Sequence, residues 1–169
     1  MKLLKAVVPL LAAVVLAGCQ SYSWRSTVPS EMRSVSVPVF RNTSSVTELG
    51  AKVTTQVLRE FQREGTFRLA RPDTCALEVQ GTVRDTKSET IAYERKTGAR
   101  TREHRFTAEA VVSFIDRRNG KVLLNERVYT AETTFLVNDD LVTGERDASG
   151  RLAEELARQI VDDALTLKW

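Results

Sequence analysis

Apolar and polar residues change their period several times along this chain, and each change marks an element. In residues 33–40, Val35, Val37 and Val39 alternate with polar neighbours, the two-residue period of a strand. Pro38 cannot donate to a ladder, so this strand is expected at a sheet edge or bent near its end. Residues 42–47 are turn formers, and Ser45 with Glu48 has the spacing of a capping box. A helix follows, with Leu49, Val53, Val57 and Phe61 on one stripe, Leu58 beside it, and Lys52, Arg59, Glu60 and Arg63 facing away. Gly65 supplies its stop.

Beyond the helix, residues 66–69 form a brief strand and Pro72-Asp73 turns the chain. Cys75, Leu77, Val79, Gly81 and Val83 then recur opposite Glu78, Gln80, Thr82 and Arg84, which puts the Cys75 thiol on the buried face of a longer strand. Residues 84–105 are polar and without a clear period, and read as irregular. Residues 106–115 make another strand. Asn119-Gly120 supplies hairpin chemistry, since both residues tolerate positive φ, and residues 122–131 return along it. Leu152, Leu156, Ile160 and Ala164, with Leu165 adjacent, form the stripe of a second helix. The predicted fold is α+β, a two-layer sandwich in the order β-α-β-β-β-α. Its sheet of about four strands is mostly antiparallel or mixed, with two helices on one face.

The N-terminus follows a different logic. Lys2 and Lys5 precede an apolar or small-residue run over residues 6–16, closed by Leu16-Ala17-Gly18-Cys19. That order is a signal peptide, and the run of about 11 residues is too short for a spanning helix, which needs about 17 to 25. Small residues before a cysteine resemble a bacterial lipobox. That pattern implies cleavage between Gly18 and Cys19, an S-diacylglyceryl group on the Cys19 thiol and an acyl chain on its amine. Gln20 stands where an inner-membrane lipoprotein tends to carry Asp, so the expected location is the periplasmic side of the outer membrane. Residues 1–18 are then a discarded leader, 19–32 a lipidated tether, and 33–169 a single domain.

Charge changes meaning once the leader is removed. The whole chain has net charge +3. Without Lys2 and Lys5 it has 23 basic against 22 acidic residues, near neutrality, which removes the case for nucleic-acid binding. The 151 residues left are enough for one core. With Cys19 acylated, Cys75 is the only other cysteine, so no internal disulfide can form and a buried core role is expected. One local asymmetry persists: residues 84–105 hold seven Lys or Arg and four Asp or Glu, whereas residues 139–169 hold four and eight.

Catalytic machinery is not apparent. His104 is the sole histidine and is read as an exposed loop residue, which disfavours a histidine-rich metal site or a Ser-His-Asp triad. There is no G-x-S-x-G elbow, phosphate-binding glycine loop or C-x-x-C. Asp139-Asp140, Glu154-Glu155 and Asp162-Asp163 are sequence neighbours, which do not face each other on a helix. The expectation is a protein without enzymatic activity, cofactor or metal.

Four segments in this order, together with Cys19, resemble the lipopolysaccharide-assembly lipoprotein family LptE. They are Val35-Ser36-Val37-Pro38-Val39-Phe40-Arg41-Asn42-Thr43-Ser44, Ala76 to Gly81, Val111 to Asp116 with Gly120-Lys121-Val122, and Leu152 through Ile160-Val161 to Trp169. The family often begins Cys-Gly-Tyr, where this chain has Cys19-Gln20-Ser21-Tyr22. The resemblance implies a plug and assembly partner for LptD, the outer-membrane barrel that translocates lipopolysaccharide, with lipopolysaccharide itself as a candidate ligand. Arg95, Lys96, Arg100, Arg102 and Arg105 are the candidate contacts to its phosphates, through charge-assisted hydrogen bonds. The bland alternative for these five is a solvated loop that aids solubility. The alternative for the whole chain is another outer-membrane lipoprotein of related α/β make-up, a peptidoglycan-synthase activator or a curli-type secretion component, since the Val-Pro-Val-Phe-Arg-Asn-Thr run resembles their first strand too.

Overall fold

The structure, a computed structural model, describes residues 28–96, 99–137 and 140–169; for 92–96 and 99–102 it describes the backbone only. After a 3-10 turn (Ser30–Met32) come β1 (Ser34–Ser36), β2 (Arg41–Asn42), α1 (Leu49–Glu64) and β3 (Arg68–Leu69). Then follow β4 (Leu77–Lys96), β5 (Ala99–Asp116), β6 (Lys121–Val137) and α2 (Leu141–Thr166). The class is α+β as expected, but the sheet is larger: six strands in the order β3-β1-β4-β5-β6, with β2 also paired to β4. It is mixed, because β1 runs parallel to β3 and β4, and β2 to β4, while β4, β5 and β6 are antiparallel.

Pro38 accounts for the split of the first strand. The chain leaves the ladder after Ser36 and re-enters it at Arg41, so the expected bend is present. The edge position does not hold for β1, which lies between β3 and β4. Residues 84–105 are the main correction. They are ladder, not loop, paired across β4 and β5 from Asp85↔Glu109 to Lys96↔Ala99 with shifts between Val83/Asp85 and Thr90/Ala92. Two polar strands paired side by side satisfy their backbone groups on each other, and this needs no apolar period.

The sandwich has one covered face. On β5, His104, Phe106, Ala108, Ala110, Val112 and Phe114 are buried, whereas the alternate residues from Arg105 to Ile115 are not. On α1, Leu49, Val53, Val57 and Phe61 are fully buried, and on α2 so are Leu152, Leu156, Ile160 and Ala164. The core also takes in Val28 and Met32, upstream of β1. Cys75 is buried as expected, but it precedes β4 in a turn where its backbone N–H donates to Arg71 O at 2.9 Å. Burial, and then the negative charge of Glu78, raises its thiol pKa, which disfavours the reactive thiolate.

Local signals at the element ends were right at the stops and wrong at one start. Gly65 sits at φ 83° and its N–H donates to Phe61 O, closing α1. Gly120 sits at φ 72° in the β5–β6 turn, whereas Asn119 is not among the residues with positive φ. The capping box does not form: Glu48 itself adopts φ 70° at the helix start, and Ser45 Oγ lies 2.8 Å from Thr86 Oγ1. Lys52 does not face solvent alone; its Nζ donates to Ser149 Oγ at 2.6 Å and Arg146 O at 3.1 Å, tying α1 to α2. At α2 the start falls at Leu141, where the Asp140 carboxylate accepts the Val142 and Thr143 N–H groups.

Gly50 shows how closely α1 meets the β1–β2 segment. A Cβ there would lie 2.7 Å from Phe40 O and 3.0 Å from Asn42 Cβ. Phe40 is held from the other side, its N–H donating to Thr54 Oγ1 at 2.9 Å. In a free helix Gly→Ala stabilises by up to about 1 kcal/mol. Here Gly50→Ala is expected to act with the opposite sign, costing about 1 to 3 kcal/mol as overpacking. Urea unfolding decides it: an unchanged or raised midpoint would show that the backbone gives way.

Candidate interaction surfaces

The sequence-predicted site residues divide into three groups. Gly18 and Cys19 lie outside the described residues, so the cleavage and lipidation site has no geometry here. Arg95, Lys96, Arg100 and Arg102 lie on the facing ends of β4 and β5, with Arg95 directly opposite Arg100 and Arg102 opposite Tyr93. The hairpin therefore gathers at one end cations that the sequence left in a loop. Arg105, further down β5, is exposed, stands across from Glu89, and has its Nε 3.8 Å from the Glu132 carboxylate on β6.

Past Arg105 the uncovered sheet face is balanced in charge. Arg84 pairs with Glu109 at 2.6 Å and Lys87 with Glu89. Beyond the Arg84–Glu109 pair, towards the β5–β6 turn, lie Val111 and Val128, neighbours across β5 and β6, with Val128 49% exposed. A groove of about 420 Å³ opens here under Pro38 and Val39, lined by Arg41, Thr82, Val111 and Glu126. Glu126 adopts φ 47° at a ladder shift, its N–H donating to Ser113 Oγ at 2.9 Å. The outer edge of β6 is partly sealed by α2, as Arg151 Nη2 donates to Thr134 O and Gln159 Nε2 to Thr130 O. Such cover blunts a free edge against pairing with other chains.

His104 is the residue the sequence misplaced. It is buried on β5, not exposed in a loop, with Nδ1 3.4 Å from Ser88 Oγ and Nε2 3.3 Å from Thr90 Oγ1. Its ring stacks on Phe135 at 5.7 Å, and Phe135 meets the backbone of α2 at Gly144, where a Cβ would fall 2.5 Å from the ring. The parity running from Phe114 back to Phe106 reaches His104 and would have found it. Two hydroxyls and an aromatic plate make a packed polar core position. No carboxylate among the described residues hydrogen-bonds the ring, so a Ser-His pair oriented by a third group is not assembled.

The opposite end of the sheet, where the chain enters the domain, is built differently. Asp116 is buried, and its Oδ1 accepts Arg118 N–H and Nε–H at 2.9 and 3.0 Å while Oδ2 accepts Nη2–H at 2.8 Å. These bonds, with the Arg118 side chain first, hold the Asp116 carboxyl below the usual carboxylate range. A depressed carboxyl stabilises the fold fully above its unfolded value, near 4, and that stabilisation is lost as pH falls through the lower folded value. Asp116→Asn is therefore expected to lower Tm at neutral pH by a few degrees, with the gap to the parent closing below about pH 4. Thermal scans across pH check this; a gap that persists in acid would assign the loss to something other than charge.

Further along β6, Tyr129 donates to Asp163 Oδ2 at 2.6 Å and Arg127 Nε meets the same oxygen at 2.8 Å, fastening β6 to α2. Burial, and then this hydrogen bond, pushes the Tyr129 phenol well above its usual range. Among the described residues no group of three or more His, Cys, Asp or Glu side chains could hold a metal ion, and no helix is long and apolar enough to cross a membrane.

Comparison with known proteins places this architecture. No curated protein matches the sequence. Among solved structures, the protein CT253 from Chlamydia trachomatis superposes with a TM-score of 0.53 at 13% identity, covering 78% of this chain and 95% of that one. Protein XCC0632 from Xanthomonas campestris gives 0.50 at 11% identity, covering 82% and 89%. At such identities the likeness is one of fold alone. The lipopolysaccharide-assembly family model matches residues 32–164, from the turn before β1 to the last turn of α2. With most of the chain so matched, the protein belongs to the LptE lipopolysaccharide-assembly family.

Proposed function

We propose that the protein is an outer-membrane lipoprotein, anchored through acyl chains on Cys19 at the periplasmic side. There it serves lipopolysaccharide assembly as the plug and assembly partner of the translocating barrel. The observation that carries this reading is the family match over residues 32–164, lying directly behind a lipobox cysteine. The work is done by shape and charge, with no bond made or broken. A sandwich with one helix-covered face, a largely charge-balanced open face and a partly covered β6 edge is suited to seating inside another protein with less open-ended strand pairing.

The β4–β5 hairpin end is the proposed contact for lipopolysaccharide. The ladder register sets Arg95 across from Arg100, so several cationic residues fall at one end of the sheet. Anionic phosphates of lipid A can pair with such residues through charge-assisted hydrogen bonds.

The test is affinity purification from envelopes. Recovery of the lipopolysaccharide-exporting barrel supports the reading; recovery of a peptidoglycan synthase or a curli secretion complex instead overturns it. Lipopolysaccharide binding by the same preparation should fall when Arg95, Lys96, Arg100, Arg102 and Arg105 are all replaced by Ala. Unchanged binding removes the hairpin from the account and leaves the barrel partnership standing.

A further inference from the structure

We infer that the domain end at which the chain enters is a membrane-docking surface, which lays its cations on the anionic phosphate headgroups of the leaflet that holds the anchor. The inference rests on the proposed lipidation of Cys19. Strand directions define the end: β1, β3, β4 and β6 begin there and β5 finishes there, with Ser34 level with Arg68, Leu77 with Asp116 and Asp116 with Lys121. Tertiary pairing thus brings Arg33, Arg68, Arg117, Arg118 and Lys121 into one terminal layer, and all five are exposed. Arg68 N–H donates to Arg33 O at 2.7 Å and Arg117 N–H to Ala76 O at 2.8 Å, which fixes their backbones in that layer.

The ion pairs separate this end from the uncovered face. On that face Arg84, Lys87 and Arg105 each stand against a carboxylate. At the entry end Glu78 and Asp116 are taken up by Arg117 and Arg118, and the exposed Glu31, bonded by Ser30, faces Arg118 as well. Arg33, Arg68 and Lys121 are then left without a carboxylate partner among the described residues. Arg33 is steadied by its Nε–H donating to Val28 O at 3.2 Å, so the same residue pins the chain entry and offers charge to solvent.

Chain length supplies the second argument. Val28 and Met32 are buried in the core, so the path to the lipid is set from Val28. Eight residues lie between Cys19 and Val28, so the nine Cα-to-Cα steps reach at most about 30 Å even when fully extended. The entry end therefore cannot stray more than about one domain diameter from the membrane surface. The linking sequence itself includes Tyr22, Trp24 and Arg25, residue types that favour the interface between headgroups and water. Held at this distance, unpaired cations gain most by meeting lipid phosphates, and each is worth about fivefold in local binding at low salt.

The experiment uses the full lipidated protein in vesicles of phosphatidylcholine, with or without phosphatidylglycerol. Asn119→Cys, in the β5–β6 turn and in a Cys75→Ala background, carries a fluorophore, and a spin-labelled headgroup lipid quenches it on approach. Docking predicts stronger quenching with phosphatidylglycerol, reversal by high salt, and loss in the Arg68→Glu, Lys121→Glu double variant. That variant leaves the Arg33–Val28 bond intact, and circular dichroism confirms that it folds. Equal quenching with and without anionic lipid, or in the double variant, overturns the docking while flotation with neutral vesicles keeps the anchor. Loss of flotation with neutral vesicles overturns the anchor and the docking together.

Discussion

Replacing Cys19 by Ser is expected to move the protein from the outer-membrane fraction to the soluble periplasmic fraction and to abolish palmitate labelling. The effect is close to all or none. Each buried methylene contributes about 0.8 kcal/mol, one acyl chain holds a protein only marginally, and two or three hold it stably. The charges at the entry end, by contrast, add only about fivefold each and cannot replace the chains. Among the described residues no helix is long and apolar enough to cross a membrane, so what could still hold the variant is the proposed barrel partnership. Fractionation with labelled palmitate measures this directly, and a variant that stays in the membrane with its label gone would point to a protein partner as the true anchor.

Phe61→Ala should be the most damaging single change in the described core. The ring is fully buried at the end of α1, edge-on to Phe67 with centroids 5.3 Å apart, and Phe67 in turn lies 6.2 Å from Trp169. Truncation would open a cavity where helix, β3 and the C-terminus meet. Phe→Ala in such a site costs about 3 to 5 kcal/mol, against a total stability of about 5 to 15 kcal/mol for an ordinary domain. Denaturant unfolding of the purified protein should show a midpoint displaced accordingly at unchanged slope. A loss under about 1 kcal/mol would mean that Phe67 and Trp169 collapse into the space.

These expectations differ in how far the sequence alone could reach them. The stripe ending at Phe61 and the glycine stop at Gly65 are local properties, so the periodicity of a single segment disclosed them. So did the glycine of the β5–β6 turn. Residues 84–105 were illegible for the opposite reason. Their ladder is polar against polar, and its stability depends on the backbone groups of a partner strand, not on an apolar face that periodicity can register. His104 was lost with them, although it continues the buried parity of Phe106 and Ala108. The capping box failed because Glu48 took up a left-handed backbone and Ser45 turned toward Thr86 on β4, a competitor invisible to spacing.

By itself the sequence determined two amphipathic helices, a hairpin and the family to which they belong, and it carries the expectation of a leader that ends before Cys19. Each is written in residues that stand next to one another or at one fixed period. Only the tertiary structure decided that six strands share one sheet, that β1 lies inside it, and that Arg33, Arg68 and Lys121 share one end. Strand pairing is chosen between distant segments, by which faces can be buried together and which backbone groups can be satisfied. A surface assembled that way leaves no pattern along the chain.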